Sequence, residues 1–321
     1  MATMKKIGVL TSGGDSPGMN ACIRAVVRTG IYHGLEVYGI RSGYNGLISN
    51  DFIKLESHHV SNIIQRGGTI LKTARSKEFI TKSGREKAYQ NLKEHELDGL
   101  VVVGGNGTFT GTDIFIREFD FPIIGAPGTI DNDLYGTDAT IGYDTALNTV
   151  MDAVDKIRDT ASSHDRLFFI EVMGRDAGFI ALRSGIAGGA EDILIPETVT
   201  HIDDLIETLE EGFRKNKKSS IIIVSEGDDA GGAFEVASKV KERYDHYDTR
   251  VTVLGHIQRG GSPTSFDRIL ASTLGYEAVN ALLKGRRGEM VGQINKDVVF
   301  TPFEKSIKHN KDIRHDLLRM A

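Results

Sequence analysis

KIGVLTSGGDSPGMN, residues 6–20, decides the fold. Residues 6–10 are a short run, apolar through most of its length, as a strand buried on both faces requires. A glycine-rich turn at 11–18 stops it, and a helical pattern over 18–33 follows. Strand, glycine turn and helix then recur outward from this point. Strand-like runs lie at 35–40, 99–103, 122–124, 167–172, 192–195, 220–224 and 250–254, with helical stretches at 84–96, 142–160, 177–188, 202–216, 233–244 and 265–284. Alternation at this spacing predicts an α/β protein with parallel sheets and right-handed crossovers. Many of the 37 glycines directly follow these runs. In open parallel sheets ligands bind beyond the carboxyl ends of the strands, so the glycine turns mark the functional edge.

Bulk properties narrow the class. With 321 residues the chain suits one large α/β domain or two smaller ones. A net charge of −5 leaves no global basic field for nucleic acid or an acidic membrane, so any anion site must be local. Trp is absent and Phe and Tyr are sparse, which gives no base-stacking surface. The single cysteine, Cys22, permits no intrachain disulfide and fits a reducing compartment. It falls in a helical stretch, where a small buried residue is the plain reading. The first apolar run is too short for a signal peptide, and no run approaches a membrane span. The expectation is a cytoplasmic protein with no nucleic-acid and no membrane partner.

Three turns carry chemistry-bearing residues. The first, Thr11-Ser12-Gly13-Gly14-Asp15-Ser16-Pro17-Gly18, lets backbone N–H groups approach an anion at a helix start. It lacks the Lys of a Walker A loop and the GxGxxG spacing, and a tight turn without ligand reads equally well. The second, Gly104-Gly105-Asn106-Gly107-Thr108, reads as a compact nest of N–H donors for a polyphosphate, or as another sharp turn. The third, Pro127-Gly128-Thr129-Ile130-Asp131-Asn132-Asp133, sets two carboxylates two residues apart. One carboxylate can take a proton from an attacking hydroxyl while the other holds a metal or its water, and Thr129 can hydrogen-bond a phosphoryl group. The plain alternative is an Asx-rich turn that caps itself.

Basic residues stand after two further strands: Arg175 in MGRDAG (173–178) and Arg259 in GHIQRGG (255–261), with Arg75 and Arg166 in polar loop contexts. Arginine forks onto phosphate, and several at strand ends in an acidic protein argue for a local anion site, although any one alone is ordinarily a solvated surface residue. Arg24 and Arg28, four apart on one helix face, could form a second anion site with Lys215, Lys217 and Lys218. Solvated charge near a helix C-terminus is the competing reading there.

In order, TSGGDSPGMN, GGNGT, PGTIDND, SSHDR, MGRDAG and GHIQRGG span nearly the whole chain. This set closely resembles the bacterial ATP-dependent 6-phosphofructokinases. The resemblance implies two three-layer α/β domains with mainly parallel sheets and an active site in the interdomain cleft. It implies a larger ATP-binding domain at 1–141 plus 257–307 and a smaller sugar-phosphate-binding domain at 142–256 plus 308–321. The implied reaction is transfer of the ATP γ-phosphoryl to the 1-hydroxyl of fructose 6-phosphate, a glycolytic step. Asp131 is then the general base, with Thr129, Arg175 and Asp133 completing the catalytic set. Gly14, Arg75, Ser76, Gly105, Asn106, Gly107 and Thr108 match ATP positions. Thr129, Ile130, Asp131, Arg166, Met173, Gly174, Arg175, Glu226, Arg250, His256, Ile257, Gln258 and Arg259 match the sugar-phosphate site. Arg166 and Arg250 would come from a neighbouring subunit of a homotetramer.

The resemblance also carries departures. Pyrophosphate-using relatives typically have Asp at position 107 and Lys at 128; Gly107 and Gly128 favour ATP. The family pattern GGDG serves Mg²⁺ through its Asp, and here that position is Asn106, so the metal site, Asp133 with Asn106, is weakened. Arg24, Arg28, Arg158, Gly189, Glu191, Lys215, Lys217, Lys218 and Ser219 match an effector pocket for ADP or phosphoenolpyruvate, but Ser57 stands where an Arg is usual. A catalytically weak regulatory paralogue and a pyrophosphate-dependent enzyme are the alternatives.

Overall fold

The structure, a computed structural model, describes residues 4–164, 166–217, 219–309 and 311–320. In chain order it forms β1 (Lys6–Thr11), α1 (Met19–Tyr32), β2 (Glu36–Ile40), α2 (Tyr44–Ser49), β3 (Phe52–Leu55), α3 (Lys82–Glu94), β4 (Gly99–Gly104), α4 (Asn106–Phe119), β5 (Ile123–Pro127) and α5 (Tyr143–Ser163). There follow β6 (Arg166–Val172), α6 (Phe179–Gly188), β7 (Asp192–Leu194), α7 (Ile202–Arg214), β8 (Ser220–Ser225), α8 (Ala233–Lys241) and β9 (Asp248–Val253). The last elements are α9 (Ser265–Leu283), β10 (Glu289–Ile294), β11 (Asp297–Pro302), α10 (Phe303–Lys308) and α11 (His315–Leu318). Short 3-10 turns occupy Glu78–Ile80 and Gly255–Arg259. Among the described residues no helix is long and apolar enough to cross a membrane.

The chain divides into two compact units. The first comprises residues up to Ile130, Leu134–Thr145 and Arg259–Lys311; the second comprises Asp131–Asp133, Ala146–Gln258 and the residues from Asp312 onward. Junctions expected after 141, 256 and 307 fall instead after 145, 258 and 311. Local bonds account for the shifts. Thr145 in the first turn of α5 is bound to Thr264 and Asp267, which keeps that turn with the first unit. Lys311 Nζ donates to Asp138 O at 2.6 Å, which holds the chain there past 307. Gln258 is bonded to Met173 and Gly255 and stays with the second unit.

The first unit is built on a seven-stranded sheet of order β11-β10-β5-β4-β1-β2-β3. Its inner strands are parallel, and antiparallel partners close both edges: β3 beside β2, and β11 beside β10. Alternation along each strand serves two cores. Ile7, Val9, Val101 and Val103 face α1 and α9, where Ile23, Val26, Leu274 and Val279 are buried. Leu10, Leu100 and Val102 face the other layer, with Leu92, Phe109, Phe115 and Phe303. Cys22 lies buried in α1.

The sequence pattern does not foresee α4. Its first turns, NGTFTGT, hold two glycines and three threonines, all weak helix formers. Burial of Phe109 and Phe115 makes the helix in spite of that composition. The edge strands β3, β10 and β11 were not foreseen either, because short runs with polar interruptions become strands only by pairing.

The second unit has an all-parallel sheet of order β7-β8-β6-β9. Leu167, Phe169, Ile222 and Val224 pack against Leu205 and Leu209 of α7 and Val236 and Val240 of α8. Helix α6 lies against β7 and β8, and Gly185 gives it room over Ile193.

In the first unit α1 and α9 cross at Gly275, where a Cβ would stand 2.7 Å from Cys22 O and 2.9 Å from Ala25 Cβ. Gly275→Val should destabilise the protein by about 1–3 kcal/mol through overpacking. A denaturant titration checks this; an unchanged midpoint would mean that the crossing is loose.

Candidate active site

Three turns lie side by side at the carboxyl ends of β1, β4 and β5. Ser12 N donates to Val103 O at 3.0 Å and Gly128 N to Gly104 O at 2.9 Å, so the sheet ladder continues into the turns. Thr108 ties two of them, its hydroxyl donating to Ser12 O at 3.1 Å. The second turn is tighter than the expected nest. Gly105 is the N-cap, and Asn106, Gly107 and Thr108 already belong to α4. What this turn presents is a helix N-terminus, whose first N–H groups and positive dipole end favour an anion. Its glycines differ in purpose. A Cβ at Gly105 would stand 3.3 Å from Thr129 Cβ, whereas nothing lies within 4 Å of one at Gly107. Asn106 and Gly107 are exposed.

Other segments are drawn to this edge. Thr11 Oγ1 donates to Lys72 O and Thr73 Oγ1 to Gly13 O, both at 2.8 Å, which brings Arg75 and Ser76 to the end of β1. Arg259 lies over Gly14, where any Cβ would collide with its guanidinium, and its Nη1 donates to Asp15 O at 3.3 Å. The segment after β5 doubles back: Ile141 bridges to Gly128, and Thr140 Oγ1 donates to Thr129 O at 2.5 Å. Tyr44, a residue without any sequence signal, closes this region from below. Its ring stacks on Phe79 with centroids 3.8 Å apart, and its hydroxyl donates to Thr108 O at 2.6 Å. Burial pushes the Tyr44 pKa up, so the group stays a hydroxyl donor.

In the second unit Asp131 is 3% exposed and lies with Arg175, whose Nε is 3.8 Å from Asp131 Oδ2. Arg175 has φ 54° and follows Gly174 at φ 149°. A left-handed arginine costs roughly 1–3 kcal/mol and needs support. Glu226 provides it, its Oε1 accepting Gly174 N at 3.2 Å and Arg175 N at 2.8 Å. Glu197 accepts Gly178 N at 2.8 and 3.1 Å, and burial raises its pKa. At the head of the same loop Met173 N donates to Gln258 Oε1 at 3.2 Å, and Gln258 Nε2 donates to Gly255 O at 3.0 Å.

Gln258, expected among the substrate contacts, supports this loop. It is 0% exposed, and both ends of its amide are engaged by backbone. His256 and Ile257 on the same turn are exposed. Arg166 and Arg250, expected to serve a neighbouring subunit, stand toward the amino ends of β6 and β9. Arg166 opens β6 rather than lying in a loop, and both arginines pair with Asp248, at 3.1 and 2.7 Å. The seven residues of β6 separate Arg166 from the Met173 end by about 20 Å.

Of the expected effector residues, the second unit gathers Arg158, Gly189, Glu191, Lys215 and Lys217. Arg158 donates to the Gly188 and Gly189 carbonyls, and Lys217 pairs with Glu191. Burial, then the Arg158 charge, pull the Lys217 pKa down. A cavity of about 520 Å³ lies here, but Asp204, Glu207 and Glu211 line it beside Glu191, Lys215 and Lys217. Ser219 directly precedes β8. Arg24 and Arg28 stand on α1 in the first unit, and Lys218 lies outside the described residues. Gln258→Leu should strand the Met173 N–H and the Gly255 carbonyl and cost about 1–3 kcal/mol in a denaturant titration. No loss would show that the amide is dispensable to the loop.

The family profile described as Phosphofructokinase matches residues 6–282. The ATP-dependent 6-phosphofructokinase 2 of Bacteroides thetaiotaomicron is 59% identical over 320 residues, covering 100% of this chain and 98% of the relative. The ATP-dependent 6-phosphofructokinase 1 of Thermus thermophilus is 56% identical over 318 residues, covering 99% and 98%. The solved phosphofructokinase of Saccharomyces cerevisiae superposes with a TM-score of 0.88 at 40% identity, over 95% of this chain and 45% of the longer yeast chain. The tied glycine turns, the Asp131–Arg175 pair and these likenesses agree, and the chain belongs to the phosphofructokinase family.

Proposed function

We propose that this protein is an ATP-dependent 6-phosphofructokinase: it transfers the γ-phosphoryl of ATP to the 1-hydroxyl of fructose 6-phosphate, giving ADP and fructose 1,6-bisphosphate. The observation that carries the reading is the buried Asp131 carboxylate beside the Arg175 guanidinium. Asp131 takes the proton of the 1-hydroxyl as the new P–O bond forms and the bond to ADP breaks. Arg175 and Thr129 hydrogen-bond the group in flight, where charge spreads over its oxygens. The first unit carries the nucleotide residues Gly14, Arg75, Ser76, Gly105, Asn106, Gly107 and Thr108. The second carries the sugar-phosphate residues Met173, Gly174, Arg175, Glu226 and His256, while Arg259 belongs to the first unit. Open space over Gly107 supports a nucleotide donor over pyrophosphate.

Magnesium belongs to the reaction as MgATP. Among the described residues no group of three or more His, Cys, Asp or Glu is placed to hold a metal ion. A magnesium ion on phosphates keeps several waters and takes only one or two protein oxygens. Asp133, and Asn106 through its amide oxygen, are the residues offered to it. The ion supplies neutralising charge on the phosphates. Asn106 opens α4, where a carboxylate would also be favoured by the helix dipole.

The oligomer and its regulation are part of the same reading. Arg166 and Arg250, paired with Asp248 at the amino ends of β6 and β9, would serve the sugar phosphate of a neighbouring copy in a homotetramer. Arg158, Gly189, Glu191, Lys215 and Lys217 would serve an anionic effector, ADP or phosphoenolpyruvate, and Arg24 and Arg28 are the other residues offered to it.

ADP release from MgATP, with and without fructose 6-phosphate across a Mg²⁺ titration, tests the reading. Sugar-dependent release is expected; its absence at every Mg²⁺ concentration would sink it and leave a pyrophosphate-dependent enzyme or a regulatory paralogue. Asp131→Asn should lower kcat by about 10²–10⁴ with the fold retained. Asn106→Asp should raise turnover or lower the Mg²⁺ requirement, and if it does neither, residue 106 does not serve the ion.

A further inference from the structure

Asp267 is a buried acid that the proposed mechanism does not use. It stands in the first turn of α9 and is 0% exposed. Its Oδ1 accepts Gly142 N at 2.8 Å; its Oδ2 accepts Thr145 N at 2.8 Å and Thr145 Oγ1 at 2.5 Å. These donors belong to the start of α5, which directly follows the doubled-back segment. Thr264, the N-cap of α9, completes the joint: its N donates to Thr145 Oγ1 at 3.0 Å and its hydroxyl to Asp144 Oδ2 at 2.6 Å. From Gly142 the path to the candidate site is short. Ile141 N donates to Pro127 O at 2.8 Å, Ile141 bridges to Gly128, and the Thr140 hydroxyl holds Thr129 O.

We propose that Asp267 is a positioning residue for phosphoryl transfer, its carboxylate anchoring the return of the 128–142 segment so that Thr129 and the adjoining Asp131 are held for reaction. The proposal rests on the phosphofructokinase reading above. An ionised carboxylate is the acceptor that two backbone N–H groups and a hydroxyl require. Protonation turns one oxygen into a donor, removes the charge that strengthened all three bonds and makes the Thr145 hydroxyl give up its bond to Oδ2. The anchor is therefore firm when Asp267 is charged and slack when it is neutral. Burial raises its pKa to about 6, against the opposing pull of its donors. Among the described charged groups Asp144 of α5 acts on it and raises the pKa further; from the start of α1 its neighbour is the uncharged Gly18. The direction follows: activity falls as pH is lowered through about 6.

The test measures kcat and both KM values by ADP release from pH 5 to 8 for wild type, Asp267→Asn and Thr140→Val, with amide exchange at Gly142 and Thr145 read alongside. Wild type should lose kcat, and exchange protection at both amides, on the acid side of about 6. Asp267→Asn should show kcat about ten- to a hundredfold lower at pH 8, with KM for MgATP little changed and the acid limb gone. Thr140→Val, which keeps the shape and removes the hydroxyl on Thr129 O, should lower kcat and keep the acid limb. Full kcat in Asp267→Asn, or an unaltered acid limb in it, overturns the proposal. Should that variant not fold, a full-activity Thr140→Val or pH-independent exchange in wild type overturns it instead. A wild type without sugar-dependent turnover refutes the kinase reading, and the exchange profile still decides the anchor.

Discussion

The parallel register of β5, β4 and β1 is the constraint on which the site depends. A glycine turn has little conformational preference of its own. Here the sheet ladder runs past the strands, from Ser12 N to Val103 O and from Gly128 N to Gly104 O, and gives each turn a fixed neighbour. Threonine hydroxyls then fasten what the ladder cannot reach. Thr11 and Thr73 hold the segment before Arg75, Thr108 holds the first turn, and Thr140 holds Thr129. A threonine serves this purpose well, because its short side chain loses little entropy and its hydroxyl bonds backbone directly. The outcome is an anion-ready edge in an acidic protein, assembled from backbone N–H groups and a helix terminus with few formal charges.

The second unit meets the same need with acceptors. Its loop after β6 turns through two left-handed residues to present Arg175, a conformation that unsupported backbone would relax. Glu226, Glu197 and Gln258 take the N–H groups of Gly174, Arg175, Gly178 and Met173, so the strain is met by hydrogen bonds on both sides of it. These acceptors are occupied by backbone, and the guanidinium of Arg175 lies beside Asp131. Arg166 and Arg250 have a different fate, drawn together by Asp248 at the other end of the same strands.

Much of this was legible in the chain before any folding. The strand-like runs, the glycine turns after them and Cys22 in a helix core follow from local codes, whereas joining TIDND with MGRDAG as one chemistry rested on the family resemblance. Apolar runs report burial on both faces of a sheet, and glycines report where backbone must turn sharply. Such signals lie within a few residues of one another, so sequence alone determined the α/β class, the functional edge and the candidate residues at it.

Tertiary structure alone decided the rest, because the interactions concerned join residues far apart in the chain. Helix α4 exists by burying Phe109 and Phe115 against its composition, and β3, β10 and β11 exist by pairing. The unit junctions moved because Asp267 binds Thr145 across 122 residues and Lys311 binds Asp138 across 173. Gln258 supports a loop by taking Met173 N across 85 residues. Local pattern names a residue's type and its element; only the packed chain reveals which distant backbone group it must satisfy.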